Sequence, residues 1–152
     1  FPSGYKLKKK TDDFIWITYD PQFTQQSILI YKYPVEEGMD MMAPDNLLAA
    51  QNAMLKDNVP GMFENTYMII SPIVRPAVTY KKYGQHEFAE IRGLWEVHND
   101  YMGGPFISHA FYTPDGKNMI LMQAFVYAPK YDKRNYLRQV ESVLYSFEWK
   151  KD

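Results

Sequence analysis

The sequence predicts an α+β domain: a mostly antiparallel β-sheet of about six or seven strands with two amphipathic helices packed on it. Three observations carry that prediction. Runs rich in aromatic and β-branched residues recur along the chain, separated by turn signals at Gly84 and at Pro114-Asp115-Gly116-Lys117. Twice the apolar period lengthens from two to between three and four, over residues 47–55 and 136–147. The strand runs are joined by short connections, which make antiparallel hairpins. At 152 residues the chain suits one core and is short for two, so 1–152 reads as a single domain.

The first strand is Phe-Ile-Trp-Ile-Thr-Tyr (14–19), ended by Asp20-Pro21, with 5–9 pairing ahead of it. Residues 27–33 follow. Ile28 and Ile30 face one side, Leu29, Tyr31 and Tyr33 the other, so both faces are apolar and the strand is central. Pro34 stops it. A helix then starts at Pro44-Asp45 with Asp45 as N-cap, and Leu47, Leu48, Gln51, Met54 and Leu55 form its stripe. Asn58-Val59-Pro60-Gly61 breaks it. Residues 66–70 form a short strand, and the prolines between Ser71 and Pro76 mark an edge or loop. Residues 77–83 and 86–97 make one hairpin about Gly84, and 106–113 and 118–128 a second about Pro-Asp-Gly. Asp132 can cap the last helix, whose apolar face is Tyr136, Leu137, Val140, Val143, Leu144 and Phe147.

Composition narrows the function. A formal net charge of −1 gives no field for phosphate backbones, and the four lysines within residues 6–10 read as a solvated strand or arm, so no nucleic acid is expected. With no Cys, disulfides, thiolate nucleophiles and cysteine zinc sites are excluded. No apolar run approaches transmembrane length. The 13 Tyr, often paired as in Tyr31/Tyr33 and Tyr80/Tyr83, fit strand propensity or a stacking surface.

Between two strand-like runs lies Arg92 to Phe106: Arg-Gly-Leu-Trp-Glu-Val-His-Asn-Asp-Tyr-Met-Gly-Gly-Pro-Phe. Trp95, Tyr101, Gly103, Gly104, Pro105 and Phe106 are the candidate binding or interface residues, with Gly-Gly-Pro a stiff turn that sets up a loop or simply a backbone device. Weaker candidates for acid–base chemistry are Glu96, His98 and Asp100. Glu90, Glu96 and His98 share parity on one strand, placing Glu96 and His98 about 6–7 Å apart. The alternative is a solvated polar face. His86, His98 and His109 lack the spacing of a metal motif, although His98 and His109 could approach across the Gly-Gly turn; no metal or cofactor is expected. No nucleophile elbow or phosphate loop occurs.

At Arg-Gly-Leu-Trp-Glu (92–96) followed by Met-Gly-Gly-Pro-Phe (102–106), the sequence resembles an uncharacterised family of Bacteroidetes lipoproteins known as a domain of unknown function. Phe14-Ile-Trp-Ile, Ile30-Tyr-Lys-Tyr-Pro34, Val59-Pro-Gly61, Tyr67-Met68, Phe125-Val-Tyr-Ala-Pro129 and Lys133-Arg134 extend the likeness over nearly the whole chain. Family members are about twice this length, so the resemblance implies the C-terminal part of a lipoprotein, lipid-anchored through an upstream cysteine on the periplasmic side or in the outer membrane. It carries no catalytic residues. The strand-rich pattern closed by a helix ending in Ser146-Phe147 is also similar to the extrinsic photosystem subunit PsbP, at the level of fold alone.

The expectation is therefore a non-enzymatic binding or assembly domain of an envelope lipoprotein, its partner an envelope protein or glycan. Two alternatives stand: a hydrolase of envelope glycan or peptide acting through Glu96 and His98, and a structural half that docks its own N-terminal half along Trp95 to Phe106.

Overall fold

The computed structural model describes residues 4–20, 24–61, 64–100, 102–127 and 133–147, with the side chains of 133–136 excepted. Its elements are β1 (Lys6–Lys10), β2 (Phe14–Tyr19), β3 (Gln25–Pro34), α1 (Pro44–Asn58), β4 (Tyr67–Ile70), β5 (Ala77–Tyr83), β6 (His86–His98), β7 (Gly103–Tyr112), β8 (Asn118–Tyr127) and α2 (Lys133–Tyr145). One sheet of eight strands runs β1-β2-β3-β8-β7-β6, and β6 carries two further strands. Every pairing is antiparallel. The α+β class and the antiparallel sheet with two helices stand as expected.

A helix lies on each face, which explains the nearly continuous apolar runs of β3 and β8. On β8, Met119, Leu121 and Phe125 join the core that holds Leu47, Met54 and Leu55 of α1. The alternate residues Ile120, Met122, Ala124 and Val126 join the core beneath Val140 and Leu144 of α2. An antiparallel sheet commonly leaves one face to water and alternates in polarity; covering both faces removes the alternation.

The cap of α1 is not Asp45. Ala43 takes the extended N-cap position, Pro44 opens the helix and Asp45 lies in the first turn. Proline is suited to that first position because its φ is preset and no N–H is wanted there. Asp45 instead pairs with Arg75 at 2.9 Å. Asp132 and Tyr136, assigned above to the cap and face of α2, lie outside the described side chains.

β4 and β5 share the outer edge of β6, end to end. β4 pairs with Trp95 to His98 and β5 with His86 to Arg92. They are one edge strand interrupted by residues 71–76, Ser-Pro-Ile-Val-Arg-Pro, and the amide of Ser71 still bonds to the Leu94 carbonyl at 2.8 Å. Two prolines make this excursion, because neither can continue a ladder. Among the described residues no helix is long and apolar enough to cross a membrane.

Candidate functional site

The Arg92–Phe106 segment is a long hairpin, and its Gly-Gly-Pro is strand, not turn. The reversal lies earlier: Asn99 takes a positive φ of 65°, the amide of Asp100 bonds to Val97 O at 3.1 Å and that of Val97 to Met102 O at 3.0 Å. From there Glu96 pairs with Gly103, Trp95 with Gly104, Leu94 with Pro105 and Gly93 with Phe106. β7 pairs with β8 only from Phe106 onward, so Pro105 sits where the ladder is one-sided and a missing N–H is tolerated.

Two glycine–aromatic pairs explain the motif. A Cβ on Gly104 would collide with the Val126 carbonyl oxygen and lie 3.0 Å from Trp95 Nε1. Trp95 uses that space: its indole N–H donates to Val126 O at 3.3 Å. A Cβ on Gly93 would lie 3.0 Å from the Phe106 ring and 3.1 Å from Pro76. Each aromatic ring thus covers a glycine across the strand pair, supplying the packing that glycine lacks. Trp95 is 2% exposed and Phe106 1%. Both belong to the core on the α1 side, where Trp95 meets Phe125 edge-on at 5.5 Å between centroids. Tyr101 lies outside the described residues.

On the opposite face of β6, Leu94 and Glu96 reach beyond the cover of α2. There they border an open recess of about 500 Å³, together with Ile73 and Val74 of the excursion, Asp100, and Gly103 and Gly104. Ile73 is 85% exposed, Val74 46% and Leu94 43%. Glu96 and Asp100 therefore share a concavity. His98, on the same strand face as Glu96, stands against Tyr67 at 4.9 Å between ring centroids and does not line the recess. Nor do His98 and His109 approach one another. His109 pairs with Glu90, eight residues along β6 from His98, a separation of roughly 26 Å at strand rise. Among the described residues no group of three or more His, Asp or Glu is placed to hold a metal ion.

A charged interior cluster lies around Glu90 of β6, on the strand face that the sequence left open between acid–base chemistry and a solvated polar face. Glu90 is 2% exposed and His109 1%. Glu90 accepts from Arg92 Nε at 2.6 Å, from Lys81 Nζ at 3.0 Å and from the Tyr145 hydroxyl at 3.3 Å, while His109 Nε2 stands 3.7 Å away. Arg92 also donates to Glu141 of α2 at 2.8 Å. Burial pushes the Glu90 carboxyl upward, but the hydrogen bonds from Arg92 and Lys81 outweigh it and hold the group below its ordinary value. Burial lowers His109 to about 4, against the opposing pull of Glu90, so its imidazole is neutral near pH 7. The cluster clamps α2 to the sheet. Its sequence signal was the Glu90/Arg92 spacing of two on one strand, with Lys81 on the facing strand.

These features define an α+β domain with a two-faced antiparallel sheet, a buried charge clamp and an apolar recess at one sheet corner. The chain belongs to the family described as Domain of unknown function (DUF4837), whose model matches residues 1–146. That agrees with the uncharacterised-family part of the resemblance seen at residues 92–106. No curated protein matches the chain.

Proposed function

We propose that this is a non-enzymatic binding or assembly domain of the cell envelope, engaging a protein partner at the recess between the 71–76 excursion and the far half of β6. The observation that supports it is the side chain of Ile73, 85% exposed beside Val74 and Leu94 at the recess where Glu96 and Asp100 stand. Exposed aliphatic side chains cost solvation unless a partner covers them. Aliphatic groups with an acidic rim favour an apolar protein segment carrying a basic residue; a glycan would call for exposed aromatic faces and hydrogen-bonding groups. The envelope setting comes from the sequence resemblance.

The test is site-specific photo-crosslinking from position 73 in cells, with and without Leu94→Asp. Leu94 is on the surface, so the variant should fold. A discrete crosslinked envelope protein, lost with Leu94→Asp, is the expected result. Crosslinks unaffected by the substitution would sink the proposal.

A further inference from the structure

A second concavity of about 340 Å³, sharing Trp95 and Met102 with that recess, is at the small end of the roughly 300–1,000 Å³ typical of ligand pockets. Its walls include Trp16, Trp95, Phe125, Met68, Val97 and Met102, with Lys8 and Gln25 contributing the polar groups. We infer that this pocket binds an anionic amphiphile, an apolar chain ending in a carboxylate.

Two independent observations point to an acidic head group. Trp16 is 7% exposed, and its indole N–H is buried without an acceptor among the described residues. Buried donors are nearly always satisfied, so an N–H left over in the wall of a pocket marks a place for an acceptor oxygen. The second is Lys8. The register between β1 and β2 shifts between Leu7 and Lys9: Leu7 pairs with Ile17, yet Lys9 pairs with Trp16, leaving Lys8 as the extra residue of a bulge. A bulge re-aims side chains. Here Lys9 reaches the Asn58 carbonyl at 3.2 Å, and Lys8 places its ammonium 4.2 Å from the centroid of the Trp16 ring. Lys8 and Trp16 thus bring one ammonium, over the indole face, and one indole N–H, unpaired among the described residues, to the wall of a cavity whose other described polar side chain is Gln25. Both are donors, so the ligand's polar end is an acceptor, and the cation makes it an anion. The thioethers of Met68 and Met102 give adaptable walls that suit a flexible chain.

Decanoate, kept below its micelle-forming concentration, is the probe. Decanol and decyltrimethylammonium are the controls, all followed by calorimetry and by tryptophan fluorescence, since two of the three tryptophans line the pocket. Saturable one-site binding of decanoate is expected, with both controls at least about tenfold weaker. Lys8→Glu should weaken decanoate by at least about tenfold and lower the melting temperature only slightly, because Lys8 is exposed and loses only its contact with the Trp16 ring. Trp16→Phe, which keeps a ring and removes the N–H, should narrow the gap between decanoate and decanol. Equal binding of the three probes, no saturable binding, or indifference to Lys8→Glu would each overturn the inference. An unchanged decanoate–decanol gap in Trp16→Phe would overturn the head-group assignment.

Discussion

Trp95 faces Gly104 across the β6–β7 ladder and reaches over it to donate its indole N–H to the Val126 carbonyl oxygen at 3.3 Å. The glycine is thus a packing requirement set by the tryptophan. Gly104→Ala would drive a methyl group into that carbonyl and against the indole. Backbone on one side and a buried ring on the other leave little room to yield. A loss of about 2–3 kcal/mol is expected, the upper part of the range for overpacked cores, read as a lower denaturant midpoint at unchanged slope.

The converse substitution probes the same contact from the other strand. Trp95→Phe removes the N–H, leaves Val126 O without that donor and opens space beside Phe125. An unmade buried hydrogen bond and a partly filled cavity together should cost about 2–4 kcal/mol in chemical denaturation. The double variant Trp95→Phe/Gly104→Ala should lose less than the sum of the two, because the smaller ring relieves the new methyl group. Strict additivity would show that the two residues are not coupled.

Helix α2 offers a third test. Val140 is fully buried against the sheet in the company of Leu144, Ile107 and Val126. Val140→Asp puts a carboxylate in that apolar layer, where the described neighbours offer no cation. Loss of more than about 3 kcal/mol, or of the folded state altogether, is expected, seen as collapse of the thermal transition.

How far the sequence reached depends on the range of the interaction that decides each element. The turn at Pro114-Asp115-Gly116-Lys117 is settled locally: Gly116 has a φ of 73°, and the Asp115 carboxylate accepts from Thr113 Oγ1 and from the Lys117 amide. It was legible, as were the stripe of α1 and the central place of β3. Gly103-Gly104-Pro105 was misread because its local propensity is that of a turn. What makes it a strand is the opposing strand, where Trp95 covers Gly104, and the one-sided ladder that accepts Pro105. The parity argument correctly put Glu90, Glu96 and His98 on one face. It could not say that α2 lands on only the Glu90 end, since that depends on Tyr145 and Glu141, more than fifty positions away in the first case and forty-nine from Arg92 in the second.

The charge clamp also makes a prediction about Glu90. Glu90→Gln keeps the shape but leaves Arg92 and Lys81 facing a neutral amide. In a fully buried pair, removing one partner costs about 3–5 kcal/mol. Arg92 and Lys81 each retain 43% of their side-chain exposure and can recover hydration, so about 1–2 kcal/mol is expected at neutral pH. Stabilisation of the fold by the substitution, measured in urea, would show that burying this carboxylate outweighs its pairing.

The same cluster sets how stability changes with acidity. His109 is 1% exposed, and burial lowers its pKa from 6.5 to about 4. The unfolded chain takes up this proton near pH 6.5, whereas the folded chain refuses it until about pH 4, so stability falls as pH drops through that window. The whole shift corresponds to at most ~3 kcal/mol. Glu90 acts in the same direction at lower pH: its depressed folded value means that its stabilisation is present above the ordinary carboxylate pKa and is lost as pH falls through the lowered one. His109→Gln removes the first contribution and leaves the second. Urea midpoints measured at about pH 7, 5.5 and 4 should therefore decline steeply in the native sequence, and the variant should decline less between the first two, its remaining slope there coming from His86, which burial also lowers. Parallel curves for the two proteins would mean that His109 is protonated in the folded state well above pH 4, with its charge stabilised by Glu90 at 3.7 Å.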